Sequence, residues 1–176
     1  KISPLHAALL AATVANNGLM MRPYLVAADS LQPGLSRKPA PLQHALSPRT
    51  AASLRRMLAQ TVSDGTATKT FAHWPESLSG VEVAGKTGTL ARTSGGTYRL
   101  FTWFAGMAPV DKPEVAVAAL AVNGRAWRAK GVSLARDALA IWFQHRDGTL
   151  DGSPVADDGQ KGAASDQADA TGEHGP

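Results

Sequence analysis

The chain reads as an α/β fold in which an antiparallel sheet is flanked by helices. Three observations predict it. Two stretches open on the same helix-start signal, a serine followed by a proline, at Ser3-Pro4 and Ser47-Pro48. Three strand-like stretches follow one another between residues 81 and 122, with links too short for a parallel crossover. A last amphipathic stretch, Gly131 to Gln144, is placed to lie across that sheet.

The elements follow in order. The first helix is expected from Pro4 to Asn16, with Leu5, Ala8, Leu9 and Ala12 as its apolar face. Asn17-Gly18 ends it, because glycine takes the left-handed conformation at a helix C-terminus without penalty. Leu19 to Ala28 is extended, and Pro23 confines it to an edge strand or a loop. Residues 29–46, with Pro33, Gly34, Pro39 and Pro41, read as a surface connection. The second helix buries Leu54, Met57, Leu58, Thr61 and Val62 and ends near Asp64-Gly65.

The strand candidates are Val81 to Leu90, Tyr98 to Ala108, and Glu114 to Val122. The third is nearly continuous Val, Ala and Leu, the pattern of a strand covered on both faces. Ser94-Gly95-Gly96 joins the first two as a hairpin loop. In the last helix Val132, Ala135, Leu139, Trp142 and Phe143 share one face. The fold is therefore expected to occupy residues 1–145. Residues 146–176 hold two basic and seven acidic residues and almost no large aliphatic ones, and read as a disordered acidic tail.

That tail carries a net −5, which leaves +9 on the rest of a chain whose total is +4. A basic body attracts anionic partners. No dense Lys/Arg stripe interleaves with aromatic residues, so nucleic acid is not among the expected partners. There is no cysteine, which excludes disulfides and thiolate-bound metals. The five histidines, at 6, 44, 73, 145 and 174, show no metal-ligand spacing. No metal and no cofactor are expected. The longest apolar run, Val115 to Val122, is far shorter than the ~20 residues of a membrane helix.

The sharpest chemical feature is the strand Val81 to Leu90. It begins with alternating valines and turns polar at Ala84-Gly85-Lys86-Thr87-Gly88-Thr89. Glycines inside a strand mark close approach of a ligand or another backbone. Lys86 adds a cation, and Thr87 and Thr89 add hydroxyls, beside exposed backbone N–H groups. Such a set suits an anionic or carbonyl-bearing group. Strand alternation puts Thr87 and Thr89 on one face and Lys86 with Gly88 on the other. Trp103 and Phe104 alternate in the same way, one expected in the core and the other bordering a cleft.

Several stretches, in order, resemble the C-terminal part of penicillin-binding protein transpeptidase domains of the class B kind. Residues 3–18, from Ser3-Pro4-Leu5-His6 to Ala15-Asn16-Asn17-Gly18, are similar to the family's "SPLQ…A…ANGG" helix. Met20 to Val26 looks like the segment after it. Ser63-Asp64-Gly65-Thr66-Ala67 resembles the "EGTA" turn. Lys86-Thr87-Gly88 matches the third active-site motif. Phe104 to Pro109 resembles the strand end "FVGFAP".

The resemblance implies a penicillin-binding/β-lactamase-like fold. It further implies an extracytoplasmic, membrane-tethered serine D,D-transpeptidase that cross-links peptidoglycan by acyl transfer. Its partners would be D-Ala–D-Ala stem peptides, β-lactams and other cell-wall synthesis proteins. By the same resemblance Lys86 and Thr89 are the catalytic candidates. Lys86 would serve the proton relay, and the Thr89 N–H would form half of an oxyanion hole. Thr87, Gly88 and Thr89 would bind substrate.

The chain departs from the family in one respect. No serine is followed by lysine three residues on, and no Ser-x-Asn occurs. Both motifs, with the nucleophile, are expected upstream of Lys1, so the N-terminal part of the domain is expected to be absent and this fragment inactive alone. Ser63, Ser94 and Ser133 read as turn or cap residues. Two alternatives stay open: a serine β-lactamase or D,D-carboxypeptidase on the same fold, and a non-catalytic β-lactam-sensing domain. The base that activates water for deacylation, or an altered nucleophile, would distinguish them.

Overall fold

The computed structural model describes residues 2–24 and 38–148. Its first helix, α1, spans Pro4–Ala15. The Ser3 hydroxyl accepts from the His6 N–H at 3.2 Å, and Asn17 and Gly18 take left-handed φ values of 51° and 90°. The buried face differs from the expected one. Ala7, Ala11 and Thr13 are buried, Ala8, Leu9 and Ala12 are half-buried, and Leu5 is exposed. Close approach to the sheet favours alanine over a bulkier side chain at the contact.

A two-stranded ribbon follows, β1 (Leu19–Met21) antiparallel to β2 (Pro41–His44). The second of these strands was not expected, since Pro33, Gly34, Pro39 and Pro41 read as a surface connection. Pro23 lies just outside β1, and residues 25–37 lie outside the described residues. Helix α2 spans Pro48–Ser63, capped by Ser47, whose hydroxyl accepts from the Thr50 N–H at 3.1 Å. Its fully buried residue is Ala51, while Leu54, Leu58, Thr61 and Val62 are half-buried and Met57 is exposed, against expectation. Arg55 ties α2 to α1 by donating to the Ala15 carbonyl and to Asn17 Oδ1, each at 3.0 Å. This satisfies one of the carbonyls that a helix end leaves without an intrahelical partner.

A short helix α3 (Thr68–Phe71) and a 3₁₀ turn (Glu76–Leu78), neither read from the sequence, lead into the main sheet. The sheet has the order β3-β4-β5, all antiparallel: β3 Ala84–Ser94, β4 Thr97–Ala108 and β5 Val115–Asn123. β3 starts three residues later and ends four later than expected. It is carried on by a two-residue hairpin in which Gly95 and Gly96 have φ values of 56° and 73°. Two successive positive φ values match the right-handed twist of the strands, and glycine adopts them at no steric cost.

Helices cover both faces of the sheet. Ala11 and Val14 of α1 and Leu58 of α2 pack with Ala84, Met107 and Ala116 on one face. Helix α4 (Gly131–Arg146) packs on the other, where Val132, Ala135, Leu139 and Phe143 meet Leu78, Phe104, Val117 and Ala119. The alternation of Ala116 against Val115 and Val117 is the double coverage expected of β5. Trp142 stands 39% exposed and does not join that buried face. Instead Arg136 does, at 1% exposure, paired with Asp137 at 2.8 Å and donating to the Thr70 carbonyl at 3.2 Å. α4 includes Arg146, which pairs with Glu114 and Asp147. The helix thus runs one residue into the stretch read as a tail, and residues 149–176 lie outside the described ones.

Candidate active site

β3 is an edge strand among the described residues, paired with β4 alone. An edge strand turns alternate N–H and C=O groups outward, where a second extended chain can meet them. The polar half of the motif lies on this edge. Register fixes its faces: Thr87 stands opposite Phe104 and Thr89 opposite Thr102, while Lys86 stands opposite Ala105 and Gly88 opposite Trp103. Phe104 is fully buried under α4. Thr87 and Thr89 therefore share the α4 face of the sheet, and Lys86 and Gly88 the face that carries α1. The Lys86 side chain is exposed and curls back, its ammonium donating to the Thr87 carbonyl at 2.9 Å. Trp103 is half-buried on the Lys86 side, so it is Trp103 that borders the motif and Phe104 that belongs to the core.

The base of the motif is held by close packing. Gly85 is buried, and a Cβ there would lie 2.7 Å from Phe104 Cε1 and 2.9 Å from the Ala105 carbonyl oxygen. The bare backbone lets the Phe104 ring lie directly beneath the strand. Lys86 then emerges from the first position beyond that contact.

One partner of the motif comes from the Ser63–Ala67 turn, which the sequence marks by its resemblance to the family's "EGTA" turn and not by any residue chemistry of its own. The Thr66 hydroxyl lies 2.6 Å from the Thr87 hydroxyl. The turn that carries it is fixed at several points. The Thr68 hydroxyl accepts from the Gly65 N–H at 2.8 Å and donates to the Gly65 carbonyl at 2.9 Å. The Ala67 N–H donates to the Thr61 carbonyl at 3.1 Å, and Ala67 itself is fully buried. Thr66 is thus presented from the end of α2 by a rigid turn. Lys86, Thr87, Gly88, Thr89 and Thr66 form one polar strip of hydroxyls, a cation and strand backbone, suited to a carboxylate or a polarised carbonyl.

The other tempting residues lie elsewhere. Ser63 is the last residue of α2, Ser94 pairs with Thr97 beside the hairpin turn, and Ser133 is in the first turn of α4. Among the described residues no three His, Asp or Glu side chains gather as metal ligands, and no helix is long and apolar enough to cross a membrane.

The model of the penicillin-binding protein transpeptidase domain matches residues 1–140. The chain belongs to that family. Peptidoglycan D,D-transpeptidase PbpA of Mycolicibacterium smegmatis is 35% identical over 129 residues, covering 70% of this chain and 24% of the relative. The PbpA of Mycobacterium tuberculosis is 36% identical over 132 residues, with the same coverage. This transpeptidase chain thus spans about a quarter of the length of those relatives. Among solved structures, the D,D-transpeptidase domain of a peptidoglycan glycosyltransferase from Eggerthella lenta is 31% identical. It aligns with a TM-score of 0.61 over 84% of this chain and 33% of its own. Penicillin-binding protein A of M. tuberculosis, solved as an imipenem acyl-enzyme complex, is 30% identical with a TM-score of 0.61 over 80% of this chain and 30% of its own. The helix-flanked antiparallel sheet is that of the penicillin-binding/β-lactamase-like fold.

Proposed function

We propose that this transpeptidase chain supplies the third-motif strand of a peptidoglycan D,D-transpeptidase whose nucleophilic serine lies outside these 176 residues. The observation that carries the reading is the polar strip on the free edge of β3, with Thr66 locked to Thr87 and Lys86 beside them. It stands in a chain 35–36% identical to named D,D-transpeptidases.

In this reaction the serine Oγ attacks the carbonyl of the D-Ala–D-Ala bond. The C–N bond breaks, D-alanine leaves with the proton, and an acyl-ester remains. An amine of a second stem peptide then attacks the ester, forms the new amide and frees the serine. Lys86 serves the proton relay and stabilises developing charge. The hydroxyls of Thr87 and Thr89 hold the substrate carboxylate. The Thr89 N–H, on the edge strand β3, donates to the oxyanion. β-Lactams occupy the same strip, other cell-wall synthesis proteins act beside the enzyme, and the reaction takes place outside the cytoplasm, with the protein tethered to the membrane.

Acylation of the complete protein by a labelled β-lactam, and by the same compound with its carboxylate esterified, tests these roles separately. Lys86→Ala is expected to slow acylation by both compounds, at about 3–4 kcal/mol for such an electrostatic group. Thr87→Val and Thr89→Val are expected to lose about 1.5–3 kcal/mol with the acid and to approach the unsubstituted protein with the ester. Equal impairment with both compounds overturns the carboxylate assignment. The 176-residue chain alone is expected to form no covalent adduct, which mass spectrometry reads directly. An adduct on any of its serines would show that the nucleophile lies within it.

A further inference from the structure

Carboxylates are unevenly placed along the sheet. At the β4–β5 turn Asp111 and Glu114 stand with Lys112, and Glu114 pairs with Arg146. At the opposite end stand the β3–β4 hairpin, the last residues of β5 and the loop into α4, and these carry cations alone. Residues 83–110 and 115–136 contain no aspartate or glutamate. Arg92 and Arg99 are exposed and face each other directly across β3 and β4. Like charges placed opposite in a sheet repel. Arg125, Arg128 and Lys130, also exposed, crown the neighbouring loop. Among the described residues none of these five cations has a carboxylate partner.

The loop is built rather than loose. Asn123, buried, donates from Nδ2 to the Ala129 carbonyl at 2.8 Å. Its Oδ1 accepts from the Arg128 and Ala129 N–H groups at 2.9 and 3.3 Å. Arg125 lies over the Tyr98 ring at 5.8 Å and Lys130 over the Trp127 ring at 5.4 Å. An open groove of about 630 Å³ runs along this loop between Ala121 and Ala129. Planar guanidinium groups suit bidentate capture of carboxylates.

We propose that this cationic end of the sheet is the docking surface for the chain's own acidic segment, residues 149–176. That segment holds Asp151, Asp157, Asp158, Asp166, Asp169 and Glu173 against one lysine, Lys161. It departs from the far end of α4. The 16 residues of α4 span about 24 Å from the cationic loop to Arg146. Asp157 is nine residues past Gly148, and nine extended residues reach about 30 Å, enough to return the Asp157-Asp158 pair along the helix to the arginines. Held there, the carboxylates relieve the Arg92–Arg99 repulsion and shield the outer half of β3 from other anions.

The absence of cysteine allows one nitroxide to be placed by Gly159→Cys in the full chain. At low salt the label should broaden amide signals of residues 92–99 and 124–130, beyond the broadening near the end of α4 that tethering alone produces. The distal broadening should vanish at about 1 M salt, where the screening length falls to ~3 Å. It should also vanish in Asp157→Asn/Asp158→Asn and in Arg92→Gln/Arg99→Gln/Arg125→Gln/Arg128→Gln. Polyphosphate binding should tighten several-fold when the acidic residues of the segment are neutralised. No distal broadening, broadening that survives the arginine changes, or polyphosphate binding indifferent to the segment overturns the proposal. Broadening seen on an unlabelled chain mixed with a labelled one assigns the surface to a second copy and overturns it equally.

Discussion

The Thr66 hydroxyl meets the Thr87 hydroxyl at 2.6 Å across 21 residues of sequence. Thr87 stands on a strand edge and Thr66 on a turn pinned by Thr68, Ala67 and Thr61. The contact therefore fixes the rotamer of a hydroxyl that free rotation would otherwise spread over three wells. With Thr66 as the donor in this contact, Thr87 keeps its own O–H to give to a carboxylate.

Thr66 is on this account a positioning residue for Thr87. A hydrogen bond of this kind is worth about 0.5–1.5 kcal/mol. Thr66→Ala in the complete protein should therefore lower acylation by a carboxylate-bearing β-lactam about 2- to 10-fold. Thr66→Ser should restore it, and the esterified compound should be nearly indifferent to either change. Stopped-flow acylation kinetics measure all three. An unchanged Thr66→Ala protein would remove Thr66 from the site.

Gly85→Ala should destabilise the fold. The added methyl meets the Phe104 ring and the Ala105 carbonyl, and Phe104 is fully buried among α4 residues with no room to retreat. Forcing a methyl into a filled core costs about 1–3 kcal/mol. Thermal unfolding checks it. Pairing the change with Phe104→Leu should recover part of the loss, since the clash lies with the ring.

These two residues show what was legible in the sequence and what was not. The helix starts at Ser3 and Ser47 were readable because a cap is a contact between residues three apart. The Lys86-Thr87-Gly88-Thr89 strand was readable because polar residues and glycines interrupt an apolar alternation. The buried faces of α1 and α2 were read only in part. Ala7 and Ala51 are buried while Leu5 and Met57 are exposed, because the distance of closest approach to the sheet, set by distant residues, decides which side chain fits. β2 escaped because an exposed strand has no hydrophobic period to show. Thr66 escaped as a site residue for a related reason. Its partner is non-local, and nothing in the short Gly65-Thr66 turn itself points to Thr87.

The end of α4 should respond to acid. The hydrogen bond from Arg146 holds the Asp147 carboxyl below the usual aspartate range. Its folded-state value lies below its unfolded value of about 3.9. The stabilisation is therefore present above that unfolded value and is lost as pH falls through the lower folded one. Arg146→Gln should return Asp147 to the ordinary range in an NMR titration. It should also lower thermal stability slightly at pH 7, with the difference closing as pH falls below the ordinary aspartate range. Both groups face solvent, so the effect stays small. A difference that widened in acid would mean that the pair opposes the fold.

The Arg136–Asp137 pair gives the sharpest energetic test, because its two members are unequally buried. The guanidinium is 1% exposed, whereas the Asp137 side chain is 32% exposed. Removing the cation by Arg136→Met leaves a carboxylate that water can reach. It also leaves the Thr70 carbonyl with the His73 N–H, and a flexible apolar side chain fills much of the vacated space. Removing the anion by Asp137→Ala takes a carboxylate away from a buried cation, and breaking a pair in this way costs about 3–5 kcal/mol where both members are buried. Asp137 is partly solvated, so the lower end of that range applies. Asp137→Ala should therefore be the more destabilising of the two substitutions, although it alters the more exposed residue. Arg136→Met/Asp137→Ala should lose less than Asp137→Ala alone. Chemical denaturation of the three variants reads the order directly. If Arg136→Met proves the worst, the guanidinium holds α4 to α3 through its contact with Thr70 rather than through charge.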